Sequence, residues 1–205
     1  MATKAKILDA IRQHLNQYGL AASSTRDMAT AAGMRQGNLT YHFARRELIV
    51  EALYDEFIAQ IDQAFAQALA PPLTLGKLYQ AQLAQGELQQ RYRFLFLDFA
   101  AIRQAHPRID QHFQQLMQGR RQGFGLLIGA LQQGGILLSD LSDDRLDMLF
   151  EQFIVLGNFW PHAAAVFRPQ DQAAYQHYAR LTLGLLCPYL TEQGEEEWSQ
   201  LDSVA

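Results

Sequence analysis

The chain has 205 residues, of which 49% are hydrophobic, enough to bury one large core or a small domain together with a medium one. A single cysteine, Cys187, excludes an internal disulfide, and its apolar neighbours favour a packed thiol over a reactive one. The first residues lack the apolar core of a signal peptide, and no apolar run reaches the roughly 20 residues that cross a membrane. We therefore predict a cytoplasmic protein with no membrane partner.

The net charge of −4 is unevenly distributed along the chain. Residues 1–47 hold seven basic side chains against three acidic ones, a charge of +4, which leaves −8 for the remainder. A basic end on an acidic body is typical of a protein that meets phosphate with one end only, although chance unevenness would give the same pattern. The charged residues of the first segment are Lys4, Lys6, Arg12, Arg26, Arg35, Arg45 and Arg46 against Asp9, Asp27 and Glu47.

Residues 4–18 carry apolar side chains at steps of three and four residues, which predicts an amphipathic helix that ends at Gly19. Its apolar stripe consists of Ile7, Leu8, Ile11, Leu15 and Tyr18. We expect this stripe to cover a small core formed by the segments that follow.

Two short helices joined by a tight turn come next. Ser24 and Asp27 have the spacing of a capping box, and Gly33 ends the first helix because glycine adopts the left-handed conformation at little steric cost. A second helix is predicted over residues 36–42. The apolar residues expected to close the core are Met28, Ala29, Ala32, Met34, Leu39 and Phe43. This is the layout of a helix-turn-helix.

The second short helix is rich in hydrogen-bonding side chains and poor in leucine. From a helix in the major groove, asparagine and glutamine pair bidentately with adenine. The side chains suited to base edges and phosphates are Gln36, Asn38, Thr40, Tyr41 and His42. We therefore predict double-stranded DNA as a partner.

The rest of the chain is predicted to be helical. A helix over residues 46–69 is too long for the small head alone, and Pro71 with Pro72 stops it. Ser142 is a good N-cap for a later helix. The further helices are predicted over residues 73–86, 88–105, 109–133, 143–165 and 169–192, with a frayed tail from residue 195. Strand alternation is not evident, so we predict an all-α fold of about nine helices.

The order of residues in the first fifty positions resembles the DNA-binding signature of TetR-type (TetR/AcrR) transcriptional regulators. The upstream helix fits its first helix at the expected spacing. The matching residues are Thr25-Arg26-Asp27-Met28-Ala29, Ala32-Gly33-Met34, Gly37-Asn38-Leu39-Thr40-Tyr41-His42-Phe43 and Arg46-Glu47-Leu48-Ile49. The resemblance implies a helix-turn-helix DNA-binding domain over residues 1–47 and a helical effector-binding and dimerisation domain over residues 48–205. It implies DNA contacts by Thr25, Arg26, Arg35, Gln36, Gly37, Asn38, Thr40, Tyr41, His42, Arg45 and Arg46.

Three positions depart from the family pattern. Arg35 and Arg45 stand where the family usually has a capping serine, and loss of a side-chain cap costs about 0.5–2 kcal/mol. We expect these arginines to contact phosphate instead. Thr40 replaces a common tyrosine, which leaves Tyr41 as the expected aromatic phosphate contact.

Two features of the body bear on its role. Large rings and methionine packed between helices leave an apolar cavity or simply fill the core, and the resemblance favours a cavity for a small effector. We predict a pocket formed by Tyr79, Phe96, Phe99, Arg103, Met117, Arg120, Phe124, Phe153 and Trp160.

The last two long helices have wide apolar faces that either complete the core or meet a second copy. We predict a homodimer interface of Leu149, Phe153, Leu156, Tyr178, Leu181 and Leu185.

The leading hypothesis is a ligand-responsive repressor that binds a near-palindromic operator as a dimer and is released by a small, largely apolar effector. The alternative is a nucleoid-associated factor whose body binds a protein partner. No nucleophile elbow, phosphate loop or pair of catalytic carboxylates is evident, so we do not predict an enzyme or a cofactor. The histidines lack metal-ligand spacing, so no metal site is predicted.

Overall fold

The computed structural model describes residues 4–68 and 71–201. Over those residues it contains eleven α-helices and one 3₁₀ helix, and its only β-type pairing is an isolated bridge between Leu137 and Leu190. The all-α prediction is confirmed, but the predicted number of about nine helices is too low. The α-helices are α1 (Lys4–Tyr18), α2 (Thr25–Ala31), α3 (Gln36–His42), α4 (Arg46–Ala68), α5 (Leu75–Arg91), α6 (Arg93–Leu97), α7 (Phe99–Ala105), α8 (Pro107–Gln133), α9 (Asp143–Phe167), α10 (Ala174–Gly184) and α11 (Glu192–Leu201).

The chain forms two compact units. The first consists of Met1–Gln60 and Arg91–Phe113, and the second of Ile61–Gln90 and Gln114–Ala205. Helices α4, α5 and α8 contribute residues to both units. We call these the helix-turn-helix unit and the cavity unit.

The start of the helix-turn-helix unit follows the sequence pattern closely. Gly19 and Gly33 have φ of +77° and +68°, so both use the left-handed region that ends α1 and α2. The small core consists of Ile7, Leu8, Ile11, Leu15, Met28, Ala29, Leu39 and Phe43, all buried. Tyr18, predicted to belong to the apolar stripe, is 55% exposed because it is the last residue of α1. Leu69, the last residue predicted for α4, lies outside the described residues.

The predicted helices over residues 73–86 and 88–105 are wrong in their division. Helix α5 runs through Gly86 to Arg91, and the breaks come at Tyr92 and Asp98 instead. Gly86 lies inside α5, and a Cβ there would be 2.8 Å from the Cβ of Tyr175, so the glycine permits close packing against α10. The helix is interrupted at Asp98, between α6 and α7. The Asp98 carboxylate accepts from the backbone N–H of Leu20 at 2.9 Å.

The cavity unit is built on α5, α8, α9 and α10. Ser142 caps α9 through the N–H of Arg145, as predicted. A buried cluster includes Leu75, Leu131, Leu149 and Leu183. These leucines come from four different helices, so the cluster holds the unit together.

The single helix predicted over residues 169–192 is wrong. The chain instead forms α10, a 3₁₀ helix at Cys187–Tyr189, and α11. Asp171 accepts from the N–H of Ala173 ahead of α10, and Pro188 has no N–H to give to the carbonyl of Gly184 four residues earlier. The tail predicted to fray forms α11, whose Glu197 carboxylate accepts from the N–H of Leu75 at the start of α5.

Candidate nucleic-acid interface and interior cavity

Helix α3 presents most of its side chains to solvent. Leu39 is fully buried and anchors the helix, whereas Gln36, Asn38 and His42 are exposed and Tyr41 is 88% exposed. The rings of Tyr41 and His42 meet edge to face, with centroids 5.6 Å apart. One apolar anchor under a polar outer face leaves these side chains free to reach base edges.

The two unusual arginines flank α3 without serving its backbone. Arg35 is the N-cap residue of α3 and makes no side-chain capping bond, and both Arg35 and Arg45 are exposed. Thr40 donates its hydroxyl to the carbonyl of Gln36 at 3.0 Å, a bond within the helix. Arg35 and Arg45 therefore lie exposed on either side of α3.

The remaining residues predicted at this surface differ in exposure. Arg26 and Gly37 are exposed, and Thr25 is half-buried. Arg46 is half-buried as well, and its guanidinium donates to the carbonyl of Leu20. Arg46 thus ties the start of α4 to the loop after α1, and the DNA contact predicted for it stays a prediction.

Helix α2 is fixed by a reciprocal capping box. The Ser24 hydroxyl accepts from the N–H of Asp27 at 3.2 Å, and the Asp27 carboxylate accepts from the N–H of Ser24 at 2.9 Å. The Ser24 hydroxyl also donates to the Asp27 carboxylate at 2.5 Å, and this bond is the largest cause that lowers the pKa of Asp27, followed by the bond from the Ser24 backbone. The box fixes the start of α2 and so the position of the turn before α3.

Helix α1 is also bound to the corner where α5 ends. Arg12 and Asn16 both donate to the carbonyl of Arg91, at 2.7 and 2.8 Å, and Asn16 Oδ1 accepts from the N–H of Phe94 at 3.0 Å. These bonds satisfy backbone groups that the helix ends leave open. The first helix of the helix-turn-helix unit therefore holds the end of a helix that also belongs to the cavity unit.

The cavity unit contains a cavity of about 500 Å³ that is partly open to solvent, within the size range of small-molecule pockets. Its wall is mostly apolar, with four phenylalanines and a few polar side chains. The lining residues are Asp62, Phe65, Leu78, Ala81, Gln82, Gln85, Gln115, Leu116, Gly119, Arg120, Gly123, Phe124, Leu127, Ile128, Phe150, Phe153, Ile154, Gly157, Asn158, Leu183 and Leu186. No other atom lies within 4 Å of a Cβ built on Gly119 or Gly123, so both glycines leave space in the cavity.

Three of the nine predicted pocket residues, Arg120, Phe124 and Phe153, line this cavity. The other six do not. Phe96, Phe99 and Arg103 belong to the helix-turn-helix unit, where the rings of Phe96 and Phe99 pack against those of Phe57 and Phe113 and Arg103 pairs with Asp110. Tyr79 and Trp160 are buried in the core, and Met117 lies on α8 outside the lining.

Sequence reasoning missed the glutamines of the wall. Gln85 lies in a glutamine-rich stretch with nothing to distinguish it, and its position on the cavity depends on which face of α5 meets α9. The described residues contain no cluster of three or more histidine, cysteine or acidic side chains suited to a metal ion.

The predicted interface residues divide between core and surface. Leu149 and Tyr178 are buried, Leu156 and Leu185 are half-buried, and Leu181 is 45% exposed. Phe153, the sixth, is half-buried and lines the cavity. Several apolar side chains that were not predicted are exposed on α9. They are Met148, Val155, Phe159, Val166 and Phe167.

An exposed recognition helix in one unit and an apolar cavity in the other define a DNA-binding regulatory protein. Residues 7–53 match a family model described as bacterial regulatory proteins of the tetR family, and residues 56–198 match a TetR model described as a bacterial transcriptional repressor. The chain belongs to the TetR family of bacterial transcriptional regulators.

Solved structures share this fold over nearly the whole chain. A TetR-family transcriptional regulator from Marinobacter aquaeolei VT8 is 20% identical, covers 99% of this chain and 98% of its own, and has a TM-score of 0.87. PfmR from Thermus thermophilus is 18% identical over 91% of this chain and 99% of its own, with a TM-score of 0.72. The ketosteroid transcriptional regulator KstR2 of Mycobacterium tuberculosis is 19% identical over 94% of this chain and 98% of its own, with a TM-score of 0.71.

No curated protein matches the sequence significantly. Among the described residues, no helix has the length and hydropathy required to span a bilayer.

Proposed function

We propose that this protein is a ligand-responsive transcriptional repressor that binds a near-palindromic operator as a homodimer. A small, largely apolar effector in the cavity would release it from DNA. The observation that carries the proposal is the outer face of α3, where Gln36, Asn38, Tyr41 and His42 are all exposed beside the guanidinium groups of Arg35 and Arg45. Amides at such a surface read bases and arginines hold phosphates.

Exposed apolar residues of the cavity unit support dimerisation. Met148, Val155, Phe159 and Val166 are spaced by seven, four and seven residues, so they share one side of α9, and Leu181 is exposed on the adjacent α10. A contiguous exposed apolar face on a soluble domain marks an interaction site. Its proposed occupant is a second copy, because two recognition helices about 34 Å apart read two half-sites one DNA turn apart.

Helices α4 and α5 supply a route from the cavity to the DNA-binding surface. Helix α4 contributes Asp62 and Phe65 to the cavity wall and begins just after α3. Helix α5 contributes Gln85 and ends at Arg91, to which α1 is bound. An effector that binds one arrangement of these helices more tightly shifts the equilibrium, and about 5.5 kcal/mol of difference moves it from 1:99 to 99:1.

The proposal is tested by footprinting the purified full chain on the DNA upstream of its own gene. A symmetric protected site that persists at physiological salt supports it, with sedimentation showing a dimer. Phe159→Glu, which puts a charge on the proposed interface, should give a monomer with weakened protection, and Phe167→Glu, an exposed residue at the end of α9, is its control. Uniform protection of any DNA would instead indicate a nucleoid-associated factor, a role in which the cavity has no function.

A further inference from the structure

A proline in α9 leaves one backbone carbonyl beside the cavity without its helical hydrogen-bond donor. Pro161 lies four residues after Gly157 inside the helix, so the Gly157 carbonyl has no backbone N–H to accept from. Two side chains from α5 replace that donor: Gln85 and Gln89 both donate their Nε2 to Gly157 O, at 3.2 and 2.7 Å. A buried carbonyl that lacks its helical partner is thereby satisfied twice.

This arrangement fixes the orientation of both glutamine amides. Because Nε2 of each donates to the carbonyl, each Oε1 must find a donor elsewhere. Gln89 Oε1 accepts from the indole N–H of Trp160, whose ring stacks on Tyr178. Gln85 Oε1 accepts no hydrogen bond from the residues that the structure describes, although Gln85 is only 8% exposed and lines the cavity.

The rest of the wall limits the charge of a ligand. Four phenylalanines and several aliphatic residues supply most of the surface, and Asp62 and Arg120 contribute one charge of each sign. Gln85 Oε1 is not among the fully buried atoms that lack a partner, so it is reached from the cavity. A ligand that covers it without supplying a donor leaves the acceptor unpaired, so a ligand with a donor there gains more than one without.

From this geometry we infer that the cavity takes an uncharged, largely apolar molecule with a hydroxyl or N–H group, and that Gln85 Oε1 accepts that hydrogen. The inference rests on the proposed effector role of the cavity and adds the chemical class of the effector. Gln85 is then the residue that determines specificity, and the Gly157 carbonyl positions it.

Three matched probes test the inference by calorimetric titration of the full chain without DNA: 2-naphthol, 2-methoxynaphthalene and 2-naphthoate. Methylation removes the donor but keeps the ring and oxygen, and the carboxylate adds a negative charge. We expect 2-naphthol to bind about tenfold more tightly than either analogue, the effect of one buried hydrogen bond. In Gln85→Met that preference should fall to near unity. In Gln82→Met, a half-buried glutamine of the same wall, it should persist.

Equal binding of naphthol and its ether to the wild type, tightest binding of naphthoate, or a preference that survives in Gln85→Met would overturn the inference while the cavity remains a ligand site. If Gln85→Met fails to fold, the comparison of 2-naphthol with its two analogues on the wild type still tests whether the ligand must supply a donor. If no probe binds, or if Gly123→Leu leaves binding unchanged although it fills the cavity, the effector role of the cavity fails with the inference. The titration does not involve the operator, so a failure to bind operator DNA would contradict only the proposed function.

Discussion

Asn16 donates its side-chain amide to the backbone carbonyl of Arg91, at a distance of 2.8 Å. Its Oδ1 accepts from the N–H of Phe94 on the other side of the same corner, so one side chain serves the end of α5 and the start of α6. This is the point at which α1, under the helix-turn-helix, is bound to a helix that also lines the cavity. These bonds lie within the helix-turn-helix unit and fix the end of α5 against α1.

Asn16→Ala should destabilise the helix-turn-helix unit. It removes the acceptor for Phe94 N–H and one of the two donors to Arg91 O, and an unsatisfied buried group costs about 1–3 kcal/mol. Urea unfolding measures the decrease. Gln17→Ala, an exposed residue next to it in α1, is the control and should change stability by less than about 0.5 kcal/mol. Equal stability of the two variants would show that the corner is not held by Asn16.

Arg35→Ala and Arg45→Ala should weaken DNA binding because each arginine is expected to hold a phosphate. Each phosphate-binding cation contributes about 0.9 to the slope of log affinity against log salt, so a substitution present in both copies of the proposed dimer should make the slope shallower by about 1.8. Salt titrations followed by fluorescence anisotropy measure this slope. Arg145→Ala removes the same charge from an exposed residue in α9 of the other unit and should leave the slope unchanged. Identical slopes in all three variants would exclude phosphate binding by Arg35 and Arg45.

The capping box makes the stability of α2 depend on pH in the acid range. The pKa of Asp27 is lowered in the folded chain, chiefly by the Ser24 hydroxyl, so the folded state holds the ionised form more strongly than the unfolded state does. The stabilisation is complete above the ordinary carboxyl pKa of about 3.9 and disappears as pH falls through the lower folded value. Loss of an N-cap serine costs about 0.5–2 kcal/mol at neutral pH.

Thermal melts of Ser24→Ala and wild type should therefore differ most at pH 7, and the difference should shrink as the pH falls through the lowered pKa of Asp27, leaving the part due to the bond from the Asp27 N–H to the Ser24 hydroxyl. Ser199→Ala, an exposed serine in α11, serves as control and should match wild type throughout. A constant gap between Ser24→Ala and wild type across this range would contradict the coupling between the two side chains.

The glycines of α8 and α5 should respond in opposite ways to alanine. Gly125 and Gly129 have no other atom within 4 Å of an added Cβ, so alanine should stabilise the helix by about 0.5–1 kcal/mol. Gly123→Ala should stabilise it similarly but weaken binding of 2-naphthol, because its Cβ enters the cavity. Gly86→Ala should destabilise by about 1–3 kcal/mol, since its Cβ would meet Tyr175. Urea unfolding gives the four values, and the same sign at all positions would contradict this assignment.

Local chemistry made the helix-turn-helix readable from the sequence. The capping box of Ser24 and Asp27 and the left-handed turn at Gly33 depend only on residues within one turn of each other. The break before Pro188 is equally local, but the apolar pattern that continues across it predicts a single helix. The signal for this break, a proline that cannot donate a backbone N–H, is therefore present in the sequence although the prediction missed it.

The cavity depends on contacts between distant segments, which local patterns do not contain. In sequence, Gly86 resembles the end of a helix, because glycine commonly ends helices. The residue that requires a glycine there, Tyr175, is 89 residues away and gives no local signal. Phe96 and Phe124 look alike in sequence, yet one packs on Phe57 in the helix-turn-helix unit and the other lines the cavity. Which helix faces meet decides whether a ring fills a core or borders a cavity.

The exposed face of α3 is proposed to read a DNA sequence. Fluorescence anisotropy at physiological salt should compare the chain on its own upstream fragment and on a random fragment of equal length. We expect tighter binding to the upstream fragment by at least about a thousandfold, and loss of about 1–3 kcal/mol of that discrimination in Asn38→Ala. Equal affinity for both fragments, or full discrimination in Asn38→Ala, would contradict the account.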